Sequence, residues 1–114
     1  MTPSLIPSRG DLIWLNFDPQ AGREQAGTRP AIVISEYDFN HVTGFAVVCP
    51  ITNQSKGYAF EVALPSDSAF TGVILTDQFK SLDVRKRKIK IVDRIASNSD
   101  CLKNVLLNVR SILA

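Results

Sequence analysis

A chain of 114 residues, 45% hydrophobic and 21% charged, is sized for one folded domain spanning 1–114 and is too short for a second of ordinary size. Its composition excludes a disordered chain and a fibrous repeat, and apolar runs such as AIVI and FAVVC are far too short to cross a bilayer. MTPSLIPSRG has no apolar centre for secretion, Cys49 and Cys101 fall in apolar patterns, and the formal charge is only +2, so reduced thiols in the cytoplasm and no membrane contact are expected.

In chain order, DLIWLNF (Asp11 to Phe17) alternates so that Ile13, Leu15 and Phe17 share one face of a strand and Leu12 and Trp14 the other. DPQAGREQAGTRP follows, a polar connection punctuated by Pro19, Gly22, Gly27 and Pro30 that is long for so small a domain, and long ordered loops often carry function. AIVIS reads as a central strand, EYDFNHVTG as a short helical turn closed by Gly44, and FAVVCP as a strand stopped by Pro50. FEVAL, with Phe60, Val62 and Leu64 on one face, and GVILTDQF supply two more strands. After KSLD, the alternation in RKIKIVDRI turns Lys88 and Lys90 to water. Leu102, Val105, Leu106, Val109, Ile112 and Leu113 then recur at helical spacing behind a Ser97/Asp100 capping pair. The expected fold is mainly β, a small SH3-like barrel whose short strands close to leave few edges, with a C-terminal amphipathic α-helix packed on it. An OB-like barrel carries the same pattern.

His41 is the single histidine, so one chain offers no pair of imidazoles as acid and base, and no zinc set can be assembled from it and two scattered cysteines. No phosphate-cradling glycine motif is present, and neither metal nor other cofactor is expected. Polar residues do gather at strand ends: Glu24 and Arg29 before the second strand, Thr52 and Lys56 after the third, Asp77 and Gln78 near the end of the fifth. By spacing alone, Glu24 with Arg29 fits a loop ion pair, Thr52 a turn hydroxyl and TDQ a strand-end turn. The basic block of Arg85, Lys86, Arg87, Lys88 and Lys90 is either a solvated rim or a phosphate-binding surface. The chemical alternative is cleavage of RNA, whose 2′-OH is its own nucleophile. Such an enzyme needs a proton acceptor, stabilisation of the pentavalent phosphorane and a proton for the leaving 5′-oxygen. Arginine suits the middle task because its planar fork pairs with two phosphate oxygens and stays charged.

The order of segments resembles the MazF/PemK-type toxins of bacterial toxin-antitoxin pairs. RGDLIWLNFDPQAGREQAGTRPAIVIS resembles the family's N-terminal signature, and FN..TG, CPIT, SKGY.FEV and GV.L.DQ.KS.D follow in the family's order. The resemblance covers roughly residues 9 to 83, with the terminal helix matching loosely. It implies a dimeric SH3-like barrel that cuts single-stranded RNA at short sequences without a metal, leaving a 2′,3′-cyclic phosphate and a 5′-OH. It also implies a cognate antitoxin with an acidic tail. The family's catalytic arginine and threonine fall on Arg29 and Thr52, and its EQ glutamate on Glu24, the candidate general base. Phe17 either stacks an RNA base or packs in the core, while Lys56, Gln78, Lys80 and Asp77 are candidate RNA contacts. One departure stands out: some members place an arginine two residues before the DQ aspartate, where this chain has Leu75. A different expectation is a non-catalytic barrel, SH3-like or OB-like, that binds nucleic acid or a regulatory protein without requiring Arg29 with Thr52.

Overall fold

The computed structural model describes residues 5–18, 22 and 27–114. Among these, the order is β1 (Asp11–Asn16), β2 (Thr28–Val33), α1 (Tyr37–Thr43), β3 (Phe45–Thr52), β4 (Glu61–Ala63), β5 (Val73–Leu75), a 3₁₀ turn (Thr76–Gln78), β6 (Lys80–Asp83), β7 (Lys90–Arg94) and α2 (Asp100–Leu113). Every strand pairing is antiparallel, in the order β4-β5-β3-β2-β1-β7, with β6 on β3 as well. No helix here is long and apolar enough to cross a membrane.

The central strands are apolar on both faces because each face covers a separate core. Ile13, Leu15, Phe17, Ala31, Val33, Ala46 and Val48 point one way, into a cluster completed by Leu82 and Val84 from the β6 side and Ile89 and Ile91 from the β7 side. Since both edges of the run β6-β3-β2-β1-β7 reach the same cluster, the sheet curls around it as a barrel-like half-turn. No hydrogen-bonded ladder joins β6 to β7 among the described residues. Leu12, Ile32, Cys49 and Ile51 point the other way, against Ile74 of β5 and Leu102, Val105 and Val109 of α2. Each of those helix side chains gains about 1.5–3 kcal/mol by leaving water.

α2 starts two residues later than the Ser97/Asp100 capping pair predicts. Ser99, not Ser97, is the N-cap, its hydroxyl accepting the Leu102 N–H at 3.2 Å, which satisfies one of the orphan donors of the first turn. Ser99→Ala is expected to cost about 1 kcal/mol, read as a lowered thermal midpoint, whereas Ser97→Ala leaves it unchanged. The last turn projects outward, with Ile112 and Leu113 exposed rather than packed.

Three other expectations are corrected. KSLD is no mere connection but β6, paired with the first half of β3 from Phe45↔Asp83 to Val48↔Lys80. Two charged ends in four residues hide its strand character. Pro50 does not stop β3, which continues to Thr52. Val47 turns its N–H and C=O toward Ser35 and Ile34 on the β2 side, so alternation turns Pro50 to the opposite edge. There the ladder with β6 ends at Val48 and that with β5 begins at Ile51, and the missing N–H falls in the gap between them. Lastly, β7 is bulged: Leu12 pairs with Asp93 but Ile13 with Ile91, leaving Val92 as the extra residue. The bulge moves Ile95 to the α2 side although its spacing from Ile89 and Ile91 predicts the other face.

Candidate functional site

β2 and β3 pair through Ala31↔Pro50, Ile32↔Cys49 and Val33↔Val48, and the ladder ends there. The next rung would require Pro30 to give an N–H to Ile51, and proline has none. Carried two residues beyond the last pair, the register sets Arg29 opposite Thr52 on the same face of the sheet. Two residues 23 positions apart in the chain thus meet at a rim where the strands no longer hold each other. Arg29, half-buried, pairs with Leu15 across β1. Thr52, also half-buried, pairs with Val73 of β5.

Thr52 is both the turn hydroxyl and a usable donor. Its Oγ1 accepts the Gln54 N–H at 3.1 Å, which occupies a lone pair and leaves the O–H proton to give to an anionic oxygen. The backbone behind it is held by a close approach, since a Cβ at Gly72 would stand 2.2 Å from the Thr52 carbonyl oxygen.

Beside Thr52 lies a pocket of about 110 Å³ lined by Gln54, Lys56, Tyr58, Glu61, Leu75, Asp77 and Gln78. The 3₁₀ turn delivers Asp77 and Gln78 to it because the chain leaves β3 after Ile74 pairs with Ile51 and rejoins it where Lys80 pairs with Val48. Thr76, fully buried, anchors that turn by donating both its N–H and its hydroxyl to the Phe60 carbonyl. Glu61 organises the facing loop. Its carboxylate accepts the Ser55 hydroxyl at 2.7 Å, the Lys56 N–H at 3.0 Å and the Gly57 N–H at 3.1 Å. These donors hold its pKa below the ordinary value, the Lys56 N–H most and the Ser55 hydroxyl next. The pocket presents a hydroxyl, a lysine and amide groups around a small hollow, with Arg29 on the same face of the sheet at the adjoining rim, a donor set suited to a phosphodiester and an adjacent base.

Of the expected site residues, Thr52, Lys56, Asp77 and Gln78 line this pocket, with Arg29 across the rim. Lys80, half-buried at the start of β6, pairs with Val48 rather than lining the pocket. Glu24 lies outside the described residues. Phe17 resolves to the core: it is 2% exposed among Ile13, Leu15 and Val48, so in this chain its ring is not presented for stacking. Glu61, Gln54 and Tyr58 went unnoticed in the sequence. Tyr58, 57% exposed at the pocket's edge, is the aromatic that geometry offers instead, and its signal was the SKGY segment itself.

The basic block divides by residue type. Arg85 donates to the His41 carbonyl at 2.7 Å, and Arg87 to the carbonyls of Asn16 at 2.7 Å and Asp18 at 2.8 Å. The two arginines tie the turn after β6 to α1 and to the stem of the β1–β2 connection, while Lys86, Lys88 and Lys90 are exposed. Arg87→Ala is accordingly expected to lower stability by about 1 kcal/mol, with Lys86→Ala within about 0.5 kcal/mol of the parent in the same thermal melt. Neither cysteine offers a nucleophile. Cys49 is buried, and desolvation, assisted by the Asp77 charge, pushes its thiol up to about 12. Cys101 is half-buried and raised by desolvation too.

The family model for PemK-like, MazF-like toxins of type II toxin-antitoxin systems matches residues 8–113. The chain is 51% identical over 87 residues to the endoribonuclease toxin MazF of Escherichia coli K12, covering 76% of this chain and 78% of that protein. It is 33% identical over 110 residues to the endoribonuclease toxin ChpB of the same organism, covering 92% of each. Among solved structures it is similar to MazF from Deinococcus radiodurans, with a TM-score of 0.89 at 44% identity over 96% of this chain and 97% of that one. It is also similar to a chain in a MazE–MazF complex from that organism, with a TM-score of 0.83 at 42% identity over 96% and 97%.

Proposed function

The chain belongs to the PemK-like, MazF-like toxin family of type II toxin-antitoxin systems, and from that membership we propose that its Arg29/Thr52 rim cuts single-stranded RNA at short sequences. It is an endoribonuclease toxin with a cognate antitoxin. The observation that carries the chemical reading is the strand register that sets Arg29 opposite Thr52 where Pro30 ends the ladder, next to a polar pocket of about 110 Å³.

The 2′-oxygen attacks the adjacent phosphorus and gives up its proton to a base, for which Glu24 is the candidate. As the phosphorane gathers charge on its equatorial oxygens, the Arg29 fork pairs with two of them and the Thr52 hydroxyl donates to one. Arginine is protonated in the resting enzyme, which makes it a stabiliser and a poor base, and it can give up a proton only to an oxygen as basic as a departing alkoxide. The bond to the 5′-oxygen breaks, that oxygen takes a proton, for which Arg29 is the candidate donor, and the products are a 2′,3′-cyclic phosphate and a 5′-OH. Lys56, Gln78, Lys80 and Asp77 hold the flanking nucleotides. The working form is a homodimer in the cytoplasm, and the antitoxin's acidic tail lies along the RNA groove, attracted by exposed lysines.

The test is incubation of the purified protein with a long mixed-sequence RNA in EDTA, followed by mapping of the ends. Discrete cuts ending in 2′,3′-cyclic phosphates are expected. Binding without cuts would favour a non-catalytic nucleic-acid module.

A further inference from the structure

Glu61 stands apart from the groups that touch a phosphate, yet it is the most heavily engaged acid around the pocket. It accepts the Ser55 hydroxyl, the Lys56 N–H and the Gly57 N–H, and its own N–H bonds the Tyr58 carbonyl at 3.1 Å. One side chain therefore gathers the turn that carries Gln54, Lys56 and Tyr58 into the pocket. That turn has no strand partner among the described residues, and the positive φ of 72° at Gly57 bends it back over the carboxylate. Glu61 itself is fixed by β4, where it pairs with Leu75. The position of Leu75 matters. Where an apolar side chain faces Glu61 across the strand pair, the carboxylate has no cation there and turns instead to loop donors.

Resting on the RNA-cleaving reading above, we infer that Glu61 is a positioning residue that shapes the 53–60 loop into the surface reading the bases beside the cut, and so takes part in choosing the cleavage sequence. Gln54 and Tyr58 supply an amide and an aromatic face, the groups that read and stack unpaired bases. A loop held by one carboxylate changes shape when that carboxylate loses its charge.

The experiment compares wild type with Glu61→Gln on a mixed-sequence RNA, mapping all ends and measuring steady-state kinetics and thermal midpoints. The amide keeps one acceptor oxygen but cannot receive all three donors. The expected result is a redistributed set of cut sites, KM raised about tenfold, kcat within about threefold and a midpoint close to that of wild type. Ser55→Ala, which removes one exposed donor and leaves β4 untouched, should shift the same sites in the same direction; it carries the test if Glu61→Gln fails to fold. An acid arm adds an independent readout. Because the folded carboxyl sits below its ordinary pKa, loop order is complete above that ordinary value and is lost as pH falls through the lowered one. KM for wild type should therefore rise in acid. Asp77 of the 3₁₀ turn, Lys56 and Tyr58 of the loop, and Asp100 and Cys101 of α2 line the hollows that Glu61 borders. Both aspartates are present in the two proteins, so only the difference between wild type and Glu61→Gln reports Glu61. Identical cut sites, KM and acid profiles in the two proteins would overturn the inference while leaving the nuclease reading intact. A wild-type protein that cuts nothing would overturn both.

Discussion

Arg29→Ala is expected to abolish most cleavage, lowering kcat by about 10² to 10³-fold, the usual consequence of deleting one preorganised group that meets charge developing in a transition state. The expectation follows from where Arg29 sits. It is half-buried at the end of a strand whose inner residues, Ala31 and Val33, are fully buried, so the sheet fixes its backbone at the rim. An arginine carried on a backbone fixed in this way requires less reorganisation as the phosphorane forms than a cation on a mobile loop. KM should move much less than kcat, because the pairing strengthens only as negative charge accumulates on phosphate.

Two companions sharpen the result. Arg29→Lys keeps the charge but loses the planar fork, and an activity between those of the parent and the alanine variant is expected. Thr52→Val removes the donated proton at nearly constant shape and should cost less than Arg29→Ala. The double variant should lose less than the product of the two, since groups acting on one phosphate act as a unit. Near-normal cleavage by a folded Arg29→Ala protein would end the assignment. A lowered midpoint in proportion to the lost activity would instead point to a structural role.

How much of this was legible in the sequence differs from element to element. The two-sided strands were readable because alternation is a local property, and Ile13, Leu15 and Phe17 did fall on one face with Leu12 on the other. The terminal helix was readable for the same reason. Register was not, since nothing local to RPAIV or VVCPIT says that Ala31 meets Pro50; only the folded pairing sets Arg29 opposite Thr52. The bulge at Val92 was equally hidden, because one extra residue leaves the pattern of Ile89, Ile91 and Ile95 unbroken in the chain while switching the face in space. Glu61 was missed because a polar residue second in FEVAL looks like any solvent-facing strand position. Its importance comes from loop donors folded back onto it. The basic block stayed open between two readings for a different reason, for charge counts alone cannot show that Arg85 and Arg87 are committed to backbone carbonyls.

Gly72 is where the fold and the site depend on the same atoms. Its φ of +109° lies in a region that side chains rarely adopt, and a Cβ there would stand 2.2 Å from the Thr52 carbonyl oxygen, 2.8 Å from the carbonyl carbon and 2.9 Å from Asn53 Oδ1. Two of these atoms belong to the backbone of β3, so no rotamer change relieves the clash. Either β5 must retreat or Thr52 must move. Gly72→Ala should therefore lose about 2 to 3 kcal/mol and about 10 °C in thermal midpoint. Cleavage at temperatures where the variant is still folded should fall as well, because the displaced strand end carries the hydroxyl. Gly57→Ala separates torsion from contact. Gly57 also has a positive φ, +72°, but a Cβ there meets nothing within 4 Å, so only the backbone cost of about 1 to 2 kcal/mol applies. If Gly72→Ala melts no lower than Gly57→Ala, the close approach of β5 to Thr52 does not hold the rim. If it melts lower and the residual activity falls further than stability explains, β5 is part of what positions Thr52 for the phosphate.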